Sequence, residues 1–357
     1  GDDLSVRLWQ VADGAFMGRL DGHAQAVRAL RELPDGEIIS GDDAGEIRRW
    51  RRPAHGRRML EERFWSRLGG ALLAGPAGRL AVTDAAGDTA LVSVTPELEV
   101  VQRLPGGFEP LGFTEDARYL FTLTRSNEVL RWQLPAGPSQ VAWSASAQGV
   151  QSVGATVLSK DAAWLAFADG EAGAALVHLP EARLVQRVPT SKRINALAIH
   201  VPARRWAFGG DDGWLRLGEL RLSGPIGLMS RDLGSPVNAL AISSDGQSLT
   251  ALLEDGQLLA LAIPALAVLH SRRIEGTSHA LRFDSFGRRL LIPAVAGGVL
   301  ILDGKGEETA RLRPFDYGFS RAGSATVDVA TSPEGNWVAA INGEGQIRVL
   351  PTSSFIP

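Results

Sequence analysis

Alternating apolar and polar residues recur along the chain, each time directly after a turn that contains Gly or Asp-Gly. The clearest copies span residues 3–9, 45–50 and 127–132, and each of them ends in Trp. Weaker copies end at Val92, His178, Gly218, Leu261, Leu302 and Leu350. Strict alternation over such short segments predicts β-strands that bury one face.

The spacing of these copies is nearly constant. Their last residues are 9, 50, 92, 132, 178, 218, 261, 302 and 350, so successive copies lie 40 to 48 residues apart. A four-stranded blade of a β-propeller takes ~40–45 residues. The period therefore predicts a propeller in which the recurring segment is one strand of each blade.

Each unit also contains other strand signals. Small apolar segments precede the recurring strand, as at residues 194–199 and 237–242, and suit the crowded innermost strand of a blade. Turn residues such as Ser244-Asp245-Gly246 separate the two, and an outer strand such as residues 184–188 follows. No segment has a sustained helical period. We therefore predict an all-β propeller of four-stranded blades.

The first full unit resembles the WD-repeat family. Gly22-His23 precedes Trp50 by 27 residues, and Ser40-Gly41-Asp42-Asp43 lies between. The resemblance implies a hydrogen-bonded network that stiffens the blade, formed by His23, Ser40, Asp43 and Trp50. The family's Asp after Trp is replaced by Gln10, Arg51 and Gln133. We expect the other blades to depend on apolar packing.

The copies favour eight blades, with seven as the alternative if a degenerate unit (51–92 or 133–178) is irregular. We expect residues 15–20 to supply the outer strand of the blade formed by residues 326–350, because closure by a distant strand removes an exposed sheet edge. Residues 1–13 would then be a leftover strand, and residues 14–357 a single propeller domain. The leftover strand predicts further repeats before residue 1 in a longer parent protein.

The composition and the motif content argue against several classes of function. Net charge is -3, there is no cysteine, and no apolar run approaches the ~18 residues that span a bilayer. Only three lysines occur beside many arginines, which is typical of a GC-rich bacterial genome. No phosphate loop, zinc motif or nucleophile elbow is present. The histidines lack metal-ligand spacing, so we predict neither a metal nor a cofactor.

Four regions are candidate contact sites. The loop at residues 313–321 concentrates aromatic and arginine side chains, which are typical of binding hot spots, or which pin the loop to the rim. Two tryptophans elsewhere are partner anchors or packing residues. The partner-binding candidates are Phe315, Tyr317, Phe319, Arg321, Trp65 and Trp143.

The fourth region is rich in arginine. It is either a polyanion contact or a solvated charged loop, the interpretation we favour. Its members are Arg48, Arg49, Arg51, Arg52, Arg57 and Arg58.

These observations predict a non-catalytic scaffold that binds another protein or another domain of its parent. The family resemblance implies a bacterial signalling or defence context, and we expect a cytoplasmic location with no membrane contact. Nucleic-acid binding through residues 48–58 is one alternative. The other is an enzyme whose site lies in the central channel, where Asn195, Asn238, Arg282 and Asp328 are the polar residues of the innermost strands.

Overall fold

The computed structural model describes residue 2 and residues 4–9, 16–33, 38–50, 58–60, 72–84, 86–94, 98–135, 137–170, 173–224, 227–274, 280–284, 287–294, 298–303, 306–312 and 326–352. The described strands are β1 (Ser5–Trp9), β2 (Phe16–Asp21), β3 (Val27–Glu32), β4 (Ile38–Asp42), β5 (Ile47–Trp50), β6 (Arg58–Leu60), β7 (Leu72–Gly75), β8 (Arg79–Thr83), β9 (Thr89–Ser93), β10 (Glu99–Leu104), β11 (Glu109–Phe113), β12 (Tyr119–Leu123), β13 (Glu128–Gln133), β14 (Ser139–Ser144), β15 (Val153–Leu158), β16 (Trp164–Asp169), β17 (Gly173–His178), β18 (Arg183–Pro189), β19 (Ile194–His200), β20 (Arg205–Gly210), β21 (Trp214–Glu219), β22 (Met229–Asp232), β23 (Val237–Ile242), β24 (Ser248–Leu253), β25 (Gln257–Ala262), β26 (Val268–Arg273), β27 (Arg282–Phe283), β28 (Leu290–Ala294), β29 (Gly298–Leu302), β30 (Glu308–Leu312), β31 (Thr326–Thr331), β32 (Trp337–Asn342) and β33 (Ile347–Pro351). Short 3₁₀ turns cover Ser146–Gln148 and Leu179–Glu181.

The strands form antiparallel sheets that follow the repeat. In the described part of the chain, seven sheets have four strands: β7–β10, β11–β14, β15–β18, β19–β22, β23–β26, β27–β30, and β31–β33 with β6. We number them sheets 1 to 7 in that order. β3–β5 form a three-stranded sheet, and β1 and β2 a hairpin. The predicted all-β blade architecture is confirmed: the eight predicted units each form a sheet, with four strands in seven and three in the first.

Neighbouring sheets among the seven share apolar cores. Between sheets 3 and 4, for example, Trp164 packs into one cluster with Trp206. The other five consecutive boundaries have equivalent clusters. Sheet 7 packs on sheet 1 in the same way, with Trp337 and Ile347 beside Leu80. The seven sheets therefore form a closed ring.

Burial follows the position of each strand within a sheet. The second strand lies between neighbouring sheets, so β32 is buried along its whole length, whereas the outer strand β22 is exposed at every residue. This explains why second strands are almost continuously apolar and why outer strands give only a weak sequence signal.

In several sheets, the same hydrogen bonds of a Ser or Thr hydroxyl hold the turn between the first and second strands. In sheet 5, the Ser243 hydroxyl donates to Asp245 Oδ1 (2.6 Å) and accepts the N–H of Ser248 (3.0 Å). The hydrogen bond from Ser243, followed by that from the Gln247 N–H, holds the pKa of Asp245 below its ordinary value against the opposing effect of burial. The same Ser/Thr-x-Asp contacts occur at Thr114 and Ser159.

The predicted closing strand is wrong. β2, which includes most of residues 15–20, pairs with β1, because a hairpin between consecutive strands closes only a short loop. β6 pairs with β33 instead and supplies the outer strand of sheet 7. The boundary predicted after residue 13 falls inside the β1–β2 hairpin. The strands up to β5 belong to the hairpin and the three-stranded sheet, and those from β6 onward belong to the seven four-stranded sheets.

Candidate partner-binding face

Most candidates from the aromatic loop and the arginine-rich region lie outside the described residues. These are Phe315, Tyr317, Phe319, Arg321, Arg51, Arg52 and Arg57, and Trp65 also lies outside the described residues, while Arg58 begins β6.

Trp143 is a core residue, which corrects its assignment as a partner anchor. It lies on the outer strand β14 but is only 2% exposed. Its ring centroid is 5.4 Å from that of Phe167 in sheet 3, inside the apolar core that sheets 2 and 3 share. We therefore assign Trp143 to packing.

The predicted blade network is present in the β3–β5 sheet, with one member corrected. The Trp50 Nε1–H donates to Ser40 Oγ (2.6 Å), which also contacts His23 Nε2 (2.6 Å). The other ring nitrogen, Nδ1, contacts Asp42 Oδ2 (2.9 Å). Asp42, and not Asp43, completes the network, because Asp42 ends β4 with its side chain buried, whereas Asp43 lies in the following turn and is exposed.

The neighbours of the network define its chemistry. Asp43 faces solvent and pairs with Arg28 (2.9 Å). Burial raises the pKa of Asp42, but hydrogen bonds from His23 and from the Glu46 and Ala44 N–H groups outweigh it and lower this pKa below its ordinary value. Ligand atoms of His23, Asp42 and Glu46 lie within 4.8 Å of one another. Both nitrogens of His23 are already occupied, so the cluster acts as a hydrogen-bond network.

A second Trp–hydroxyl bond occurs in sheet 2, although we expected apolar packing alone in the other units. Trp132 Nε1–H donates to Thr122 Oγ1 at 2.8 Å, and Trp132 is buried. Trp132 and Trp50 each occupy the last or near-last position of a third strand. The Trp–hydroxyl hydrogen bond therefore forms in these two units, where the Trp of the third strand faces Ser40 or Thr122 on the second strand.

Arg48 and Arg49 of the polyanion candidate do not share one surface. Arg48 and Arg49 are consecutive in β5 and therefore point to opposite faces of the sheet. Arg48 is paired with Glu46 (2.7 Å) and lies over the Trp50 ring, 6.0 Å from its centroid. This part of the arginine-rich region lacks the continuous row of cations that a polyanion contact requires.

The polar residues of the innermost strands connect segments of the ring. Asn195 donates to Asp211 Oδ1 (2.6 Å), which ties the first strand of sheet 4 to a turn. Asp328 is fully buried and accepts the Leu72 N–H (3.4 Å), at the boundary where sheet 7 meets sheet 1. Arg282 approaches the same carboxylate at 3.7 Å. These contacts assign Asn195, Arg282 and Asp328 to the architecture; Asn238, also on an innermost strand, is buried.

One face of the ring is built from turns. In sheet 4, the turn between the second and third strands bonds to the segment before the first strand (Asp211 N–H to Arg193 O, 3.0 Å). The segment after the outer strand joins them (Leu233 N–H to Gly213 O, 2.9 Å). Equivalent bonds occur in sheet 5, at Glu254 and Ile274. We call this surface the turn face.

Trp214 is exposed on the turn face. It is 39% exposed and begins β21, directly after the turn glycine Gly213. Its position in the repeat is polar in five other units, where it is occupied by Glu46, Asp88, Glu128, Gln257 and Gln346, and it is glycine in two more, at Gly173 and Gly298. A large aromatic side chain at a normally polar, solvent-facing position is typical of a contact residue. The sequence analysis missed Trp214, although its departure from the repeat is visible in the sequence.

Hydrogen bonds hold the backbone beneath Trp214 in place. Asp212 accepts the Trp214 N–H (3.0 Å), the Arg216 guanidinium (2.7 Å) and the Ser191 hydroxyl (3.3 Å). Burial raises the pKa of Asp212, but the bond from Arg216 and then that from the Trp214 N–H outweigh it, and the net shift is downward. Asp212 is therefore ionised at neutral pH, and it fixes the position from which Trp214 projects.

Comparisons with known proteins identify no function, so the assignment of Trp214 to a contact surface rests on the geometry of the chain. The chain matches no family model and no curated protein. Among the described residues, no helix has the length and apolar character needed to cross a membrane.

Proposed function

We propose that this chain is a non-catalytic platform that binds another protein through its turn face, with Trp214 as an anchor. The exposure of Trp214 carries the proposal, because solvent exposure of an aromatic ring is unfavourable unless a partner covers it. The ring supplies the rigid support that a pre-organised contact needs.

The wider identity is part of the same proposal. The period and the His23–Ser40–Asp42–Trp50 network support membership of the WD-repeat family. The composition supports a bacterial source. A cytoplasmic signalling or defence protein is the context that this resemblance implies.

The test is quantitative capture of partners from a lysate of the source cells, with the purified chain as bait. Trp214→Gln is the informative variant, because Gln257 and Gln346 show that the repeat accepts Gln at this position. Val141→Gln is the matched control, since Val141 is 59% exposed on the outer strand of sheet 2. We expect Trp214→Gln to reduce capture at least tenfold and Val141→Gln to leave it unchanged.

A second bait carries Tyr317, Phe319 and Arg321 changed to Ala. Loss of the same partner with this bait would extend the contact surface to the 313–321 loop. Equal capture by all baits, with unchanged melting temperatures, would refute the turn face as the binding surface.

A further inference from the structure

A cavity of about 210 Å³ lies between sheets 5 and 6. One wall contains three side chains that are directly paired across sheet 5, Thr250, Ala260 and His270. Directly paired residues of antiparallel strands project from the same face of the sheet. Phe283 and Leu290 of sheet 6 form the facing wall. The cavity therefore occupies part of a boundary between neighbouring sheets, a place where apolar side chains meet in the other pairs of sheets.

The cavity exists because sheet 5 has a small residue at a position where the repeat has a large one. Ala260 lies on the third strand, and strand register identifies its equivalents. In five other ring sheets the equivalent residue is aliphatic, larger than Ala and at most 6% exposed: Leu91, Leu176, Leu217, Ile301 and Val349. Sheet 2 has Arg131 there. A small residue at such a position leaves unfilled volume in the boundary.

Thr250 is a second departure from the repeat at the same place. It pairs with Ala260 on the second strand, and its equivalents in the other described units are all apolar: Ile39, Ala81, Phe121, Ala166, Ala207, Leu291 and Ala339. Thr250 is only 3% exposed, and its hydroxyl forms no hydrogen bond with another described residue. A buried hydroxyl without a partner is unfavourable. Its hydrogen-bonding capacity is therefore available to a molecule in the cavity.

His270 adds a second polar group at the outer end of the same row. It is exposed on the outer strand β26, and its ring also forms no hydrogen bond with another described residue. A neutral imidazole offers one donor and one acceptor, and a hydroxyl can both donate and accept. Thr250 and His270 therefore present both kinds of hydrogen-bonding group to one occupant.

The charges around the cavity are already balanced. The Arg272 guanidinium donates to the Gly306 carbonyl (2.7 Å) and lies 3.5 Å from the Glu307 carboxylate. The Asp245 carboxylate accepts the Ser243 hydroxyl (2.6 Å). An anionic ligand would meet the negative charge of Asp245, and a cationic ligand would meet that of Arg272. The lining therefore suits a neutral ligand.

We propose that this cavity binds a small, neutral ring compound that carries a hydroxyl or amide group. The polar group of the ligand bonds to Thr250, and the ring packs against Leu258 and Leu290. A cavity of ~150 Å³ accepts benzene, so a cavity of about 210 Å³ accommodates a six-membered ring with a short polar substituent.

The ligand site is separate from the turn face. Ser243 and Asp245, which line the cavity, belong to the turn between the first and second strands of sheet 5. β23 runs from the turn face to this turn, so the cavity lies toward the opposite end of the strands. Binding of the ring compound therefore does not depend on Trp214 or on a protein partner.

Phenol is the probe, and saturation-transfer NMR with the 357-residue chain measures its binding. Benzene is the apolar comparison and benzoate the charged one. We expect saturable binding of phenol, about fivefold tighter than that of benzene, because one net hydrogen bond has an effect of this size. Benzoate should bind more weakly than phenol, because its charge faces Asp245.

Ala260→Leu fills the cavity with a side chain that the repeat accepts at this position, as Leu91 and Leu217 show. We expect this variant to lose phenol binding and to have a higher melting temperature. Ala147→Leu is the matched control, because Ala147 is exposed in the turn between β14 and β15, and it should change neither quantity.

Thr250→Val keeps the shape of the side chain and removes its hydroxyl. It should reduce the affinity for phenol to that for benzene and leave the affinity for benzene unchanged. Melting curves of all variants verify that each of them is folded.

Three results would overturn the proposal. The first is the absence of saturable phenol binding to the unchanged chain. The second is undiminished phenol binding to folded Ala260→Leu, which would place the phenol elsewhere. The third is equal affinity for phenol and benzene, which would reduce the cavity to an apolar packing gap.

Discussion

Ile347 and Ile47 occupy the same position of a third strand, but only Ile347 lies in a closed boundary. Ile347 is fully buried between sheets 7 and 1, and Ile47 is 74% exposed. Replacing a buried Ile with Ala removes apolar contacts and leaves a cavity, which costs about 2–5 kcal/mol. The same change at an exposed position alters the free energy of unfolding by less than about 0.5 kcal/mol.

Thermal unfolding followed by circular dichroism converts these values into a measurement. The entropy of unfolding is about 0.6 kcal/mol/K for a ring of roughly 290 residues, at ~2.1 cal/mol/K per residue. Ile347→Ala should therefore lower the melting temperature of the ring by about 3–8 °C, and Ile47→Ala should leave it unchanged. Equal shifts for the two variants would refute the closure of the ring between sheets 7 and 1.

Three further outcomes follow from other contacts. Trp50→Phe removes the donor to Ser40 and should cost about 1 kcal/mol, measured as faster amide exchange in the β3–β5 sheet. Gly246→Ala should destabilise sheets 4 and 5 more than Gly234→Ala: both glycines have positive φ, but a Cβ at 246 would meet Ala203 at 2.5 Å, whereas one at 234 meets nothing within 4 Å. Because the folded-state pKa of Asp245 lies below its unfolded value of 3.8, its stabilising effect is present above pH 4 and is lost as pH falls through the folded pKa. Asp245→Asn should therefore lower the melting temperature at pH 7, and its effect should shrink as the pH falls below 4.

The strands and their period were predictable because they depend on local patterns. Alternation, turn residues and small inner strands repeat in every unit, and each acts over fewer than ten residues. Closure was not predictable in this way. β6 has three residues and lies among arginines that read as a loop, and its partner β33 is distant in sequence. Local pattern carries no information on such a pairing.

The site was predictable only in part. The network could be expected from His23 and Trp50, but the choice between Asp42 and Asp43 depends on where β4 ends and the turn begins. The sequence left open whether Trp143 is an anchor or a packing residue, because its burial depends on how sheet 3 packs against sheet 2. Trp214 could have been found by aligning the units, since no other unit has an aromatic residue at this position.

The pairing of β6 with β33 also sets a time order for synthesis. Leu60 is made 287 residues before its partner Ile347. At ~5–20 residues per second, the ribosome takes about 15–60 s to cover this distance. During that interval β6 lacks the strand with which it pairs, and the apolar side of sheet 1 that later packs on sheet 7 is available to chaperones or to other nascent chains. A ribosome that stops before β33 leaves the ring open, so the synthesis of β33 decides whether the product is a closed propeller or an aggregation-prone intermediate.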